Sequence, residues 1–380
     1  MTCSQCHEAA KFVGYRSKQL VSLVGTIRVA RGYYHCPHCH RGQVPWDQTL
    51  RVSPHCLTLA AQEVTTLVAL QQSFAKVADR TLTKLTGLRL SESTVERTTE
   101  AAGEKLDDLL RRGEVFGPRQ VWDWNRDWTG KTCGYVSLDA TGILMQGPHG
   151  AKSDGRMVSV GMVYNPQARS PDDEALATPC EGSRYLAGLY TLDELGEQLR
   201  RQAAQVGLDQ AEQWIALSDG GNGLEEFFDV FFPGAVKVLD FHHATGHLTA
   251  LAKLLRPGVA GEKLLAAWCH TLKHAGGRRL LAVLEKRNRR TMTADGRAEH
   301  DQVLTYFRNH VERMNYPEYL RCGWQIGSGS IESACKTVVN QRLCQGGMRW
   351  GEEGSNAVAH LRALYRSDPD QWESFWSLAA

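Results

Sequence analysis

The chain predicts an α/β protein with extra modules at its front and in its middle, and three observations carry that prediction. Two CxxC pairs, Cys3/Cys6 and Cys36/Cys39, stand near the N-terminus. From Tyr135 onward, helical apolar spacing gives way to strand-like alternation, and strands and helices then take turns. A lone acid, Glu332, opens a late helix directly after a glycine-serine run, in IGSGSIESACK (Ile326 to Lys336).

The 380 residues suggest two to four units. Apolar residues make up 42% and charged residues 23%, as in globular proteins. No apolar run approaches the roughly 18–20 residues of a membrane span, and MTCSQCHEAAKF lacks a signal-peptide pattern. The expectation is a cytoplasmic protein with no membrane partner, whose 11 cysteines are thiols and metal ligands rather than disulfides. Net charge is only +2, yet the cations cluster. Lys11, Arg16, Lys18, Arg28, Arg31 and Arg41 face Glu8 alone in residues 1–45, and HTLKHAGGRRLLAVLEKRNRR spans His270 to Arg290. Such clusters suit phosphate contacts, although the second run equally fits a solvated helix face.

In order along the chain, residues 1–50 read as a zinc ribbon. Each CxxC pair offers two thiolates from one knuckle, and Cys3, Cys6, Cys36 and Cys39 complete a closed tetrahedral site for a structural Zn²⁺. Between them LVSLVGTIRVARGYY, broken at Gly25, predicts strands that bring the knuckles together. His7, His35, His38 and His40 are spare ligands. Residues 51–120 turn helical. Gly87 ends one helix, Ser93 with Glu96 forms a capping box for the next, and the polar second helix fits a DNA-binding helix-turn-helix or plain packing. VWDWNRDWTG (Val121 to Gly130) reads as a linker.

Residues 121–246 then hold GYVSLDATGILM with Asp139 at its centre, two further strands (156–165 and 184–190), and a helix capped by Thr191 and Glu194. A strand ending at Asp219, another helix, and a strand ending near Asp240 follow. Three strands, helix, strand, helix, strand is the order of a ribonuclease H-like fold, whose first and fourth strands are neighbours. Asp139 and Asp219 would then face each other, and Glu332, on a helix packed through Ile331, Ala334, Cys335, Val338 and Val339 in the 326–380 segment, would close the triangle. The competing reading of Glu332 is an ordinary first-turn acid paired with Lys336. Three carboxylates suit two Mg²⁺ or Mn²⁺ ions, which keep open positions for water and phosphate.

The motifs SLDATG at Asp139, SDGGNGL at Asp219, DFHH at Asp240 to His243, GSGSIES at Glu332 and the run NQRLCQGGMRWGEEGSNAVAHLRAL (340–364) resemble bacterial insertion-sequence transposases of the ISKra type, distant relatives of the Mutator-like superfamily. The resemblance covers roughly residues 130–365. It implies a DDE transposase, an enzyme of polynucleotidyl transfer that cleaves at transposon ends and joins them to target DNA, with catalytic Asp139, Asp219 and Glu332 on two Mg²⁺ ions. It further implies double-stranded DNA partners (terminal repeats and target), a homodimer or higher assembly at synapsis, a nucleoid-associated bacterial location, and a helical insertion over 247–325. Asp240 and His243 would support the site or touch DNA, the alternative being a satisfied strand-end histidine with a capping aspartate. Arg349 and Trp350 could contact phosphate or a displaced base, with core packing the alternative for Trp350. The alternatives are a metal-dependent nuclease or resolvase on the same sheet, and a non-catalytic DNA-binding protein derived from a transposase.

Overall fold

The computed structural model describes residues 1–49, 56–148, 151, 153–169, 178–221 and 223–379. Part of the irregular loop expected between the second and third core strands lies outside these residues, as does Asn222 of the SDGGNGL motif.

At the front, β1 (Lys11–Ser22) and β2 (Gly25–His35) form an antiparallel hairpin. Its turn passes through Gly25 at φ +106°, a conformation that glycine adopts without a Cβ penalty. A short β3 (Gly42–Gln43) pairs with β2. Lys18 and Arg31 both reach Asp47 in the helical turn Pro45–Thr49. The hairpin joins the next unit through Val21, which donates to the Cys56 carbonyl at 2.8 Å.

That unit packs α1 (Leu59–Ala69), the helical run Phe74–Lys76, Val77–Thr81, Leu82–Thr86, and α2 (Glu92–Arg111) around Leu57, Ala61, Val77, Leu82 and Val95. Gly87 ends the run in the left-handed conformation, as expected. The start of α2 differs from expectation. Ser91, not Ser93, is the cap, its hydroxyl accepting from the Thr94 N–H at 3.2 Å. Two serines two residues apart both sit before an apolar-periodic stretch, so sequence spacing alone does not choose between them.

The predicted linker is docked against the core. Trp124 is buried with its indole N–H on the Gly207 carbonyl at 2.9 Å, and Trp122 donates its backbone N–H to Val206. Indole rings bury large apolar areas, which a free linker would leave wet.

The central sheet has five strands, β4 (Cys133–Ile143), β5 (Arg156–Pro166), β6 (Cys180–Gly188), β7 (Gln213–Ser218) and β8 (Val236–Leu239), in the spatial order β6-β5-β4-β7-β8. β4, β5 and β6 pair antiparallel, whereas β4–β7 and β7–β8 are parallel. α3 (Leu192–Gln205) connects β6 to β7 behind the predicted Thr191–Glu194 capping box, and α4 (Leu224–Phe231) connects β7 to β8. Both faces of β4 are covered. Leu138 pairs with Gly161, over which α3 lays Leu195 and Leu199, while the opposite face carrying Asp139 receives the segment after Glu332.

α5 (Phe241–Leu255) begins directly after β8, slightly before the expected start of the insertion at 247. α6 (Val259–Glu285), broken at Gly276 (φ +81°), and α7 (Ala294–His310) complete a helical layer. The short turn Val311–Arg313 and the helix Tyr316–Arg321 return the chain to the sheet. α8 (Gly329–Ala334), a π-wound turn Cys335–Asn340, α9 (Glu352–Arg366) and α10 (Pro369–Ala379) close the molecule. Two buried arginines fasten this end to the front unit. Arg342 donates to the Ala69 carbonyl at 2.8 Å and Arg362 to that of Leu70, so each guanidinium satisfies a carbonyl at the exit of α1.

Candidate active site

The four cysteines converge. Their sulfurs all lie within 4.8 Å of one another, with Cys3–Cys39 and Cys6–Cys36 each at 3.5 Å. A tetrahedron with Zn–S bonds of about 2.3 Å has edges near 3.8 Å, so the cage is the size a structural zinc needs. The two knuckles are built alike: the residue after each second cysteine, His7 and His40, takes a positive φ of 61° and 56°. The Cys3 thiol is pulled down to about 6, first by the backbone N–H of Cys6 and then by that of Gln5, which favours a thiolate ligand. The four-cysteine cluster could therefore hold a metal ion, and the neighbouring histidines are not needed to complete it.

The second candidate site is built from three distant segments. In the parallel β4–β7 register Leu138 lies opposite Ser218, the last residue of β7, so Asp219 leaves β7 abreast of Asp139, which sits inside the longer β4. Glu332 arrives from α8. With Asp240, His242, His243, Ser328 and the apolar floor of Leu138 and Ile331, the three acids line one open cleft of about 270 Å³. Their oxygens are more widely spaced than the cysteine sulfurs; among the described residues only the thiol cluster closes to 4.8 Å.

Each acid is held by a named donor. Asp139 accepts the Ala140 N–H at 2.7 Å on one oxygen and the Cys335 thiol at 3.5 Å on the other. The π-wound turn after α8 contributes that cysteine, and its wider winding is a common feature near functional sites. Asp219 accepts the Gly221 N–H at 2.9 Å. Glu332 accepts the Ser328 hydroxyl at 2.5 Å, and among the described residues it makes no ion pair with Lys336. Burial pushes the Asp139 carboxyl above the usual range, and the charges of Asp219 and Glu332 push it further.

Asp240 is a structural staple and lines the cleft only at its edge. Its two oxygens accept the His243 N–H at 2.6 Å and the Ser328 N–H at 2.8 Å, tying the start of α5 to the approach of α8. His243 and its neighbour His242 are exposed at the cleft rim. Arg349 is exposed on the surface, but Trp350 is buried. The Trp350 indole donates to the Leu343 carbonyl at 2.9 Å and packs between Phe74 and the Arg342 guanidinium, so of the base-stacking and core-packing roles only core packing fits.

Sequence reasoning missed Ser328, Cys335 and Arg313 as partners of the acids. Ser328 and Cys335 lie inside the quoted IGSGSIESACK stretch, within one or two turns of Glu332. Arg313 carries no local signal. No family model matches the chain, and no curated protein matches it.

On the front unit, the cap Ser91 and, in the first turns of α2, Ser93 and Arg97 are exposed. Further along, Glu100, Glu104, Asp107 and Asp108 line an acidic groove with Glu353 of α9. In the basic run, Arg278 pairs with Glu312 and Arg289 with Asp301, while Lys286, Arg279 and Arg290 are exposed.

Proposed function

We propose that this chain is a DDE transposase of ribonuclease H-like fold, cleaving DNA at transposon ends and transferring the cut strand into target DNA. One observation carries the proposal: Asp139, Asp219 and Glu332, from β4, the end of β7 and α8, line a single cleft. The strand order, with the first strand flanked by the antiparallel second and the parallel fourth, supports the same fold. The resemblance of the motifs to ISKra-type transposases supports the specific chemistry.

Asp139, Asp219 and Glu332 would hold two Mg²⁺ or Mn²⁺ ions. When bound, such ions lower the pKa of a water or 3′-hydroxyl nucleophile and stabilise the leaving oxygen of an in-line phosphoryl displacement. The side chains have separate duties around that chemistry. Asp139, raised by its surroundings, gives up its proton most readily when a cation shares the cleft. Ser328 and Cys335 hold the carboxylates of Glu332 and Asp139 from outside the cleft. Asp240 fixes the α5 and α8 backbones, and the open cleft leaves a path for the extended phosphate chain. The ribbon, the first turns of α2 and the exposed cations of α6 are the surfaces offered for DNA, through phosphate contacts that weaken steeply with salt.

The test uses DNA carrying the sequences that flank the gene, with a supercoiled plasmid as target and Mg²⁺ or Mn²⁺ present. Cleavage at the ends with joined products is expected. Asp139→Asn and Glu332→Gln should each abolish both products while leaving DNA binding largely intact. Cleavage without joining would favour a nuclease or resolvase built on the same acids. Undiminished cleavage by either variant would refute the metal-ligand assignment.

A further inference from the structure

Between α7 and the helix that leads back to the sheet, Arg313 is 4% exposed and spends its guanidinium on the strand end that carries Asp219. One terminal nitrogen donates to the Ser218 hydroxyl at 2.8 Å and to the Asp219 carbonyl at 3.1 Å; the other meets Glu225 at 3.1 Å. The His310 ring nitrogen lies 3.6 Å from the same Glu225 oxygen, beyond hydrogen-bond distance. The same loop is covered from above by this helical layer. A Cβ on Gly220 would lie 2.9 Å from the Tyr306 ring and hydroxyl and 3.2 Å from His310, so glycine there lets α7 close over the loop. Downstream, the Gly221 N–H holds the Asp219 carboxylate at 2.9 Å. The acid is thus gripped at its backbone by a residue of the inserted helices and at its side chain by its own loop.

We propose that Arg313 is a positioning residue for Asp219, through which the helical insertion sets the direction of that carboxylate into the cleft. This rests on the assignment of Asp219 as a metal ligand. A planar fork of donors suits the task better than an ammonium, because it fixes a hydroxyl, a carbonyl and a carboxylate in one geometry. A displaced ligand loses affinity for a cation even when it is chemically intact.

The experiment is Mn²⁺ titration of the full zinc-loaded chain by calorimetry, with DNA affinity measured without added Mn²⁺ as the check on folding. Arg313→Met should weaken Mn²⁺ binding about tenfold with DNA affinity unchanged, and Arg313→Lys should recover part of the loss. Ser218→Ala, which removes one of the three contacts, should weaken it less. Because Arg313 acts through Asp219, the double variant Asp219→Asn/Arg313→Met should bind Mn²⁺ no more weakly than Asp219→Asn alone. Equal Mn²⁺ affinity in Arg313→Met and wild type, additive losses in the double variant, or a parallel loss of DNA affinity would overturn the proposal. A wild-type chain whose Mn²⁺ binding is indifferent to Asp139→Asn and Asp219→Asn would instead overturn the metal assignment, and the role of Arg313 would fall with it.

Discussion

Gly103 lies within α2 against α9, and replacing it by alanine sets two effects against each other. Inside a helix, Gly→Ala ordinarily stabilises by about 0.5–1 kcal/mol, because glycine loses more backbone freedom on folding. Here the new methyl would stand 2.4 Å from the Ala357 Cβ, 2.5 Å from its Cα and 2.6 Å from its carbonyl oxygen. Carbon atoms pack best at about 3.5–4.0 Å, so the two helices must separate by roughly 1 Å. Ala357 has no rotamer to turn away, and two of the three atoms are backbone. Overpacking of this kind costs about 1–3 kcal/mol, and the rigidity of the contact favours the upper half of that range. The expected net effect is a loss of roughly 1–2 kcal/mol after the propensity gain. Gly246, in α5, is the control: it is exposed and a Cβ there meets nothing within 4 Å. Gly246→Ala should therefore stabilise by about 0.5–1 kcal/mol. Urea unfolding followed by circular dichroism reads both, the first as a lowered midpoint and the second as a raised one. A Gly103→Ala chain at least as stable as wild type would refute the close α2–α9 crossing, and with it the docking of the front unit on the C-terminal helices.

Cys36→Ser should reduce bound zinc in purified protein from about one ion per chain and weaken DNA binding, with unchanged zinc by atomic absorption counting against the four-thiol cage. Asp240→Ala strands two backbone N–H groups that now share its carboxylate, so a loss of about 2–4 kcal/mol in urea unfolding is expected. Asp139 gives a pH prediction whose sign is fixed by its raised folded-state pKa. An acid whose pKa is higher folded than unfolded destabilises the fold once ionised, and that cost fades as pH falls through the folded pKa. In zinc-loaded protein dialysed free of Mg²⁺ and Mn²⁺, Asp139→Asn should then melt above wild type at pH 8, with the gap narrowing toward pH 4, and melting below wild type at pH 8 would contradict it. Mg²⁺ at a hundredfold over its dissociation constant should reverse the order by stabilising wild type by about 2.7 kcal/mol.

What the sequence made legible follows from how local each signal is. Strand alternation around Asp139, the Thr191–Glu194 capping box and the glycine stops at Gly25 and Gly87 depend on neighbours a few residues away, and all of them hold. The CxxC spacing likewise writes half of the four-thiol site into four residues. Where the sequence misled, was silent or left two readings open, the deciding contact came from far along the chain. Trp124 docks on Gly207, Trp350 on Phe74 and Arg342, and Arg313 on Ser218, and none of these pairings leaves a periodic trace. The buried polar face of β4 was equally hidden, because alternation separates two faces without saying that both will be covered.

The glycine-serine lead-in to Glu332 illustrates the difference between small and flexible. Sequence alone suggests a loose tether that lets the helix approach the sheet. In the fold, Ile326, Gly327 and Ser328 are buried, the Ile326 carbonyl accepts the Phe241 N–H at 2.8 Å, and the Ser328 N–H is held by Asp240. The glycine-serine run is therefore a packed and hydrogen-bonded segment rather than a loose tether. The consequence is that Glu332 is aimed before any cation arrives: its helix start is fixed at the backbone by Asp240 and its carboxylate by Ser328. Asp139 is set by the register of β4 against β5, and Asp219 by the Gly221 N–H on its carboxylate and Arg313 on its carbonyl. Under the proposed metal role, Asp139, Asp219 and Glu332 would each come to the ion from an element already fixed by folding, leaving only the carboxylate oxygens, which stand wider apart than the cysteine sulfurs, to close around it.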